Sequence, residues 1–306
     1  MKKKTNWAKT KRYLPLYLML LPGAAYLIIN NYLPMAGLAL AFKKVNYNVG
    51  LFQSPWTGLS NFKYLFTTKD AFIFFRNTIF YNLAFIFFGN LMGIITAVAL
   101  DSIRKKFFKR FSQVIILIPY LLSTVIISYI VYAFLSGNNG FMNMTVLPAL
   151  HLDKISWYNN AKYWPVIITI VYLWMSFGYS SILYYSTLIG IDKSYYEAAV
   201  VDGAGIWDQI RFITLPALKT TIITLVLMAV GRICYSDFGL FYQVPMNSGL
   251  LYSTTQTIDT YVYRYGIQLG NYTFGPAVGL MKSVFGFFLV WLTNFISGKV
   301  LDMRIF

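Results

Sequence analysis

Glutamate occurs once in these 306 residues, at Glu197, and acidic residues number 10 against 26 lysines and arginines. So few carboxylates, with no nucleophile–base constellation near them, argue against an intramembrane enzyme. There is one histidine, His151, and one cysteine, Cys234. Neither a cysteine-based metal site nor an intrachain disulfide is therefore available, and His151, without a cysteine or carboxylate cluster around it, reads as a solvated loop residue. No G-x-x-x-x-G-K-[ST] run occurs; Gly298-Lys299 lacks the earlier glycine and the following hydroxyl that a phosphate cradle needs. The chain carries no nucleotide-hydrolysing engine and no cofactor site of its own. Charge is scarce as well, at 12% of residues, where soluble domains hold about 25%.

What fills the chain instead is apolar: 58% hydrophobic and 19% aromatic residues. A bilayer core about 30 Å thick needs about 20 apolar residues per helix. Six stretches meet that need, at about 13–33 (extending toward 42), 72–100, 111–135, 164–189, 214–238 and 274–297. The expected fold class is all-α, a polytopic membrane protein with six transmembrane helices and both termini on one side. Lys2, Lys3, Lys4, Lys9, Lys11 and Arg12 precede the first span, and Arg104, Lys105, Lys106, Lys109 and Arg110 fill the short second connection. The positive-inside rule places these clusters, both termini and the connection at 190–213 in the cytoplasm. The net charge of +16 follows from that topology and from anionic lipid headgroups, since split juxtamembrane clusters argue against nucleic acid. The first apolar run exceeds a signal peptide's and has no small-residue cleavage site, so it reads as a retained helix. The organisation expected is a basic tail over 1–12, a first helix and external connector over 13–71, and a five-helix core over 72–306 with a short cytoplasmic C-terminus. Outward connectors fall at about 43–71, 136–163 and 239–273, where Trp56, Trp157 and Tyr163 suit interfacial anchoring.

The connection at 190–213 carries Glu197-Ala198-Ala199-Val200-Val201-Asp202-Gly203-Ala204 and closes on Ile213-Thr214-Leu215-Pro216. Ser194 and Glu197 have capping-box spacing, and Asp202-Gly203 can end the short helix because glycine accepts the left-handed conformation. A second short helix is expected at about 205–212, with Pro216 in the first turn of the next span. Tyr195, Tyr196, Ala198, Ala199 and Val200 leave an apolar surface on a polar connector, which suits a partner's groove.

This spacing resembles the cytoplasmic EAA loop of the permease subunits of binding-protein-dependent ABC importers. Leu20-Leu21-Pro22-Gly23, Asn31-Tyr32-Leu33-Pro34, Phe42-Lys43, Trp56 to Phe62, Arg76-Asn77-Thr78 and Ile258 to Arg264 are similar to the carbohydrate branch of that family. The resemblance implies a type I importer permease in the bacterial cytoplasmic membrane, with Glu197, Ala198, Ala199, Asp202, Gly203 and Ala204 coupling it to a separate ATPase. It further implies a second, homologous permease in a heterodimer, two ATPase copies holding ATP and Mg, an external solute-binding lipoprotein, and an oligosaccharide substrate moved by alternating access. Gly205 departs from the serine or threonine common at its position.

Two cations fall within apolar stretches: Arg232, about 24 Å along a helix from Pro216, and Lys282, about 12 Å in from Phe274. Intramembrane cations face a cavity or a partner. Two readings stand for each: a substrate pathway, or a pairing of Arg232 with Asp237 or a neighbouring subunit and a snorkelling Lys282. Trp174, Tyr179, Tyr184, Tyr129, Tyr132 and Tyr235 offer aromatic faces for a sugar or for helix packing, with Trp174 and Tyr235 the pathway candidates. Gly89 and Gly93 form a close-packing pair. The cations would also suit an amino acid, polyamine or anion importer, while a stand-alone channel or secondary transporter leaves the loop motif unexplained.

Overall fold

The structure, a computed structural model, describes residues 7–46, 48–51 and 53–300. Lys2, Lys3 and Lys4 of the basic tail and the C-terminal stretch 301–306 lie outside these. The described helices, in chain order, are α1 (Trp7–Leu27), α2 (Ser60–Thr67), α3 (Lys69–Ser102), α4 (Lys106–Leu121), α5 (Thr124–Leu135), α6 (Trp164–Ile189), α7 (Lys193–Val201), α8 (Ile206–Gln209), α9 (Leu215–Gly231), α10 (Phe238–Gln243), α11 (Ile258–Val262) and α12 (Phe274–Val300). Short 3-10, π and α turns lie between them, and no strand occurs among the described residues. The expected tail is helical from Trp7 onward, so Lys9, Lys11 and Arg12 belong to α1.

Among the described residues, five helices are long and apolar enough to cross a membrane, and a sixth crossing exists if the pair α4 and α5 is counted as one. The expected continuous span at 111–135 is corrected here: α4 and α5 bend by 93° at their junction. Pro119 removes an i→i−4 hydrogen bond near the end of α4, Leu122 is extended, and the Ser123 hydroxyl accepts the Ile126 amide to start α5 afresh. The expected fifth span is also corrected, because its helix stops at Gly231. Cys234 therefore lies in the turn after α9, not inside the helix.

Three π turns share one sequence device. Ile28–Tyr32, Met142–Val146 and Ile210–Thr214 each precede a Leu-Pro pair, and the leucine amide closes the wide turn onto the carbonyl five residues back. Proline has no amide and crowds the carbonyl four residues before it; a wider turn supplies room without ending the helix. The helix consequently runs on from Ile206 to Gly231. Pro216, expected to open a new helix, sits inside this continuous one.

The chain divides into two compact units. One holds the residues up to Leu65 with Tyr265–Met281, and the other holds Phe66–Arg264 with Lys282 onward. In the first unit, no side chain from Tyr13 to Leu33 is buried. The Asn61 amide donates to the carbonyls of Ala41 (2.8 Å) and Lys43 (2.9 Å), and the Thr57 amide donates to Phe42 (2.8 Å). Gly58, at φ +58°, lets the chain turn between Thr57 and Asn61 to make both sets of bonds.

In the second unit, α3 packs lengthwise on α6, and small residues set how closely helices approach. A Cβ on Gly93 would lie 2.9 Å from the Ser180 side chain, and one on Gly178 would lie 1.8 Å from the Ile116 carbonyl oxygen of α4. Two buried apolar clusters form. Tyr81, Phe85, Ile127, Val131, Trp164, Ile168, Leu240 and Phe241 belong to one; Ala97, Leu100, Tyr184, Leu188 and Leu218 belong to the other. Arg76-Asn77-Thr78 meets the segment before α11: Arg76 donates to the Ser253 carbonyl (2.7 Å), Asn77 to the Gln256 carbonyl (2.9 Å), and the Thr78 hydroxyl accepts the Ile258 amide (2.9 Å).

Candidate functional site

Helix α7 begins differently from the expected capping box. Asp192, not Ser194, is the N-cap: its carboxylate accepts the Ser194 amide at 2.9 Å, and that bond holds its carboxyl below the usual carboxylate range. Glu197 then falls beyond the first three positions of α7, exposed and without a hydrogen bond or ion pair among the described residues. Asp202 and Gly203 do end the helix. The Gly203 amide donates to Val200 (3.1 Å) and the Ala204 amide to Ala199 (2.8 Å), the two bonds of a Schellman motif, with Gly203 at φ +81°.

Gly205 caps α8, and the Asp208 carboxylate accepts its amide at 3.1 Å, so an acid three residues on supplies the bond that a glycine cap still permits. The Tyr196 hydroxyl meets the Thr214 hydroxyl at 3.0 Å, fastening α7 to the base of α9. Tyr195 (64%), Val200 (61%), Val201 (86%), Ile206 (76%), Trp207 (71%) and Phe212 (68%) are exposed. Val201, Ile206, Trp207 and Phe212 enlarge the apolar surface anticipated from the sequence, and Trp207, two residues after the cap of α8, is the largest residue it overlooked.

A cavity of about 680 Å³ lies in the second unit. Helix α3 contributes Asn82, Phe85, Ile86, Gly89 and Asn90; α6 contributes Tyr172, Tyr179, Ser180 and Leu183; α9 contributes Leu225, Met228 and Ala229. The turn after α9 adds Arg232, Tyr235, Ser236 and Asp237. Residues 82 to 90 follow the i, i+3, i+4, i+7, i+8 register of one helix face, and two asparagines on an otherwise apolar face were the legible signal for this wall. The cavity occupies the middle stretches of α3 and α6.

The turn is held from several sides. Asn82 donates to the carbonyls of Ile233 (3.0 Å) and Tyr235 (2.8 Å). Asp259 accepts the Ser236 amide (2.7 Å) and hydroxyl (3.0 Å) through Oδ2, and the Lys282 ammonium through Oδ1. Lys282, 4% exposed, lies 4.2 Å from the centre of the Tyr235 ring. Its expected places, lining the pathway or snorkelling, are thus replaced by a buried ion pair behind Tyr235, because a compact ammonium needs a carboxylate where water is excluded. Arg232, the C-cap of α9, is exposed and lines the cavity. No ion pair joins it to Asp237, whose carboxylate instead caps α10 by accepting the Leu240 amide at 3.0 Å.

Of the aromatic candidates, Tyr179 and Tyr235 line the cavity, and buried Tyr184 donates to Asn90 behind it. Trp174 and Tyr129 are exposed away from it, and Tyr132 packs edge-on against Tyr158. Tyr172, stacked on Phe85 with ring centres 3.7 Å apart, is a lining residue that the sequence reading missed.

Apolar spans around a cavity of mixed polar and apolar lining, joined by an exposed loop continuous with two of its walls, define a multi-pass membrane subunit of a solute transporter. The chain belongs to the family of binding-protein-dependent transport system inner membrane components, which it matches over residues 89–302. It is 35% identical to Protein LplB of Bacillus subtilis over 96% of this chain and 92% of that protein. It is 33% identical to the polygalacturonan/rhamnogalacturonan transport system permease protein YteP of the same organism, over 93% and 88% of the two chains. A chain of a bacterial ABC transporter involved in the import of the acidic polysaccharide alginate superposes with a TM-score of 0.87 at 30% identity, over 96% of this chain and 98% of that one. A second alginate transporter structure, in complex with an alginate pentasaccharide-bound periplasmic protein, gives 0.87 at 28% identity.

Proposed function

We propose that this permease carries an oligosaccharide across the bacterial cytoplasmic membrane by alternating access, driven by a separate ATPase. The observation that carries the reading is mechanical. Helix α7 follows α6 after three residues, and α8 is continuous with α9, while α6 and α9 are both walls of the cavity. A displacement of the α7–α8 surface is therefore delivered to two sides of the solute site at once. Glu197, Ala198, Ala199, Asp202, Gly203 and Ala204 form the docking element, with the exposed Trp207 and Val201 filling the partner's groove.

In this reading both termini and the α7–α8 loop are cytoplasmic, in keeping with the basic cluster at 104–110. ATP and Mg bind the partner ATPase, present in two copies; a second homologous permease completes the translocation path, and an external solute-binding lipoprotein delivers the sugar. The tyrosine faces and amide groups of the cavity suit a sugar's apolar ring face and hydroxyl rim, and two of the similar transporters are named for polysaccharides. The test is to purify the tagged chain from its own membranes and assay vesicles for uptake of oligosaccharides. A second permease and an ATPase should co-purify, with uptake dependent on ATP; a chain that purifies alone and transports without ATP would be a secondary transporter instead.

A further inference from the structure

Two charged side chains, Arg232 and Asp237, line the cavity, and they are held differently. Lys282 and Asp259 neutralise each other behind Tyr235. Asp237 is committed to the start of α10. Arg232 is different: its guanidinium makes no hydrogen bond or ion pair among the described residues, and it is exposed at the cavity. An arginine offers five donors in a rigid fork. Placed between apolar spans, such a cation carries a substantial cost unless something pairs with it.

We propose that Arg232 makes the cavity selective for oligosaccharides bearing carboxylates, that is, uronate-containing glycans, and is the specificity-determining residue of the site. This rests on the carbohydrate reading above and narrows it. The geometry of the surroundings fits a charged sugar. As the C-cap of α9, Arg232 starts from a fixed helix end, and the turn that follows it is pinned by Asn82 and Asp259. Its fork can accept a carboxylate through two parallel bonds, roughly twice as strong as neutral hydrogen bonds. Asn82 spends its amide hydrogens on backbone carbonyls, which leaves its Oδ1 to accept a sugar hydroxyl, and Tyr179 and Tyr235 line the same cavity.

The test uses the complete transporter in cells. Wild type, Arg232→Gln and Arg232→Lys are compared, each first checked for assembly at wild-type yield by size exclusion. Two probes are supplied: a panel of oligouronates from hydrolysed plant and algal polyuronides, and the same panel with its carboxyls reduced to neutral alcohols. Uptake is read by mass spectrometry of the cell contents. The expected result is uptake of the acidic panel by wild type, a loss of at least tenfold in Arg232→Gln, and an intermediate rate in Arg232→Lys, which keeps the charge but not the fork. Equal acidic uptake by wild type and both variants would overturn the proposal, as would equal loss in Gln and Lys. Uptake by wild type of the neutral panel alone would overturn it while leaving the carbohydrate reading intact; uptake of neither panel would overturn it too, and the carbohydrate reading is then decided by the vesicle uptake test above.

Discussion

Lys282→Met tests the internal electrostatics of the fold. The substitution removes the cation that pairs with Asp259, where the lysine side chain is 5% exposed and the aspartate 25%. Stranding one member of a buried pair costs about 3–5 kcal/mol. Asp259 keeps two hydrogen bonds from Ser236 and partial access to solvent, so the loss should fall at the lower end, about 3 kcal/mol, or on the order of a hundredfold in the folding equilibrium. Asp259→Asn should cost at least as much, because it strands the more deeply buried ammonium, of which the Tyr235 ring can offset about 2 kcal/mol. In Lys282→Met/Asp259→Asn no charge is left, and the asparagine oxygen still accepts from Ser236, so most of the stability should return. The assay is thermal unfolding of the detergent-solubilised complex, with yield as a second readout. An unchanged melting temperature in Lys282→Met, or a double variant as unstable as the sum of the singles, would refute the buried-pair argument.

Gly178→Ala should prevent α4 from seating on α6, since its Cβ would sit 1.8 Å from a backbone oxygen; overpacking costs about 1–3 kcal/mol even where side chains can adjust, and the folded yield should fall sharply. Gly203→Val meets no neighbour within 4 Å but must hold φ +81°, a strain of about 1–2 kcal/mol. It should depress uptake while the complex still assembles, and full substrate-stimulated ATPase activity would remove Gly203 from the coupling element. With Cys234 replaced by serine, cysteines at Asn138 and Lys154 should react with an impermeant thiol reagent outside intact cells and one at Lys106 should not. Labelling at Lys106 would invert the topology.

The apolar runs and the distribution of Lys and Arg determined the membrane class and the number of candidate spans, because a bilayer imposes length and composition locally. The turn at Asp202-Gly203 was equally legible, since a left-handed helix end is a local backbone demand that glycine meets. Other features were decided by tertiary structure. Competition between Asp192 and Ser194 for the cap of α7 could not be settled from spacing, and the outcome places Glu197 inside the helix, free of a capping role. Pro119 and Pro216 look alike in sequence, yet one precedes a 93° break and the other follows a π turn in an unbroken helix. Proline only removes a hydrogen bond; the neighbouring chain decides whether the helix bends or widens around it. The fates of the two intramembrane cations separated for the same reason. Lys282 and Asp259 lie 23 residues apart and meet only because α12 packs beside the segment at α11, whereas Asp237, near Arg232 in sequence, turns to cap α10 and leaves Arg232 to the cavity. Charge and hydropathy are properties of residues, but the partner of a buried charge is a property of the packed fold.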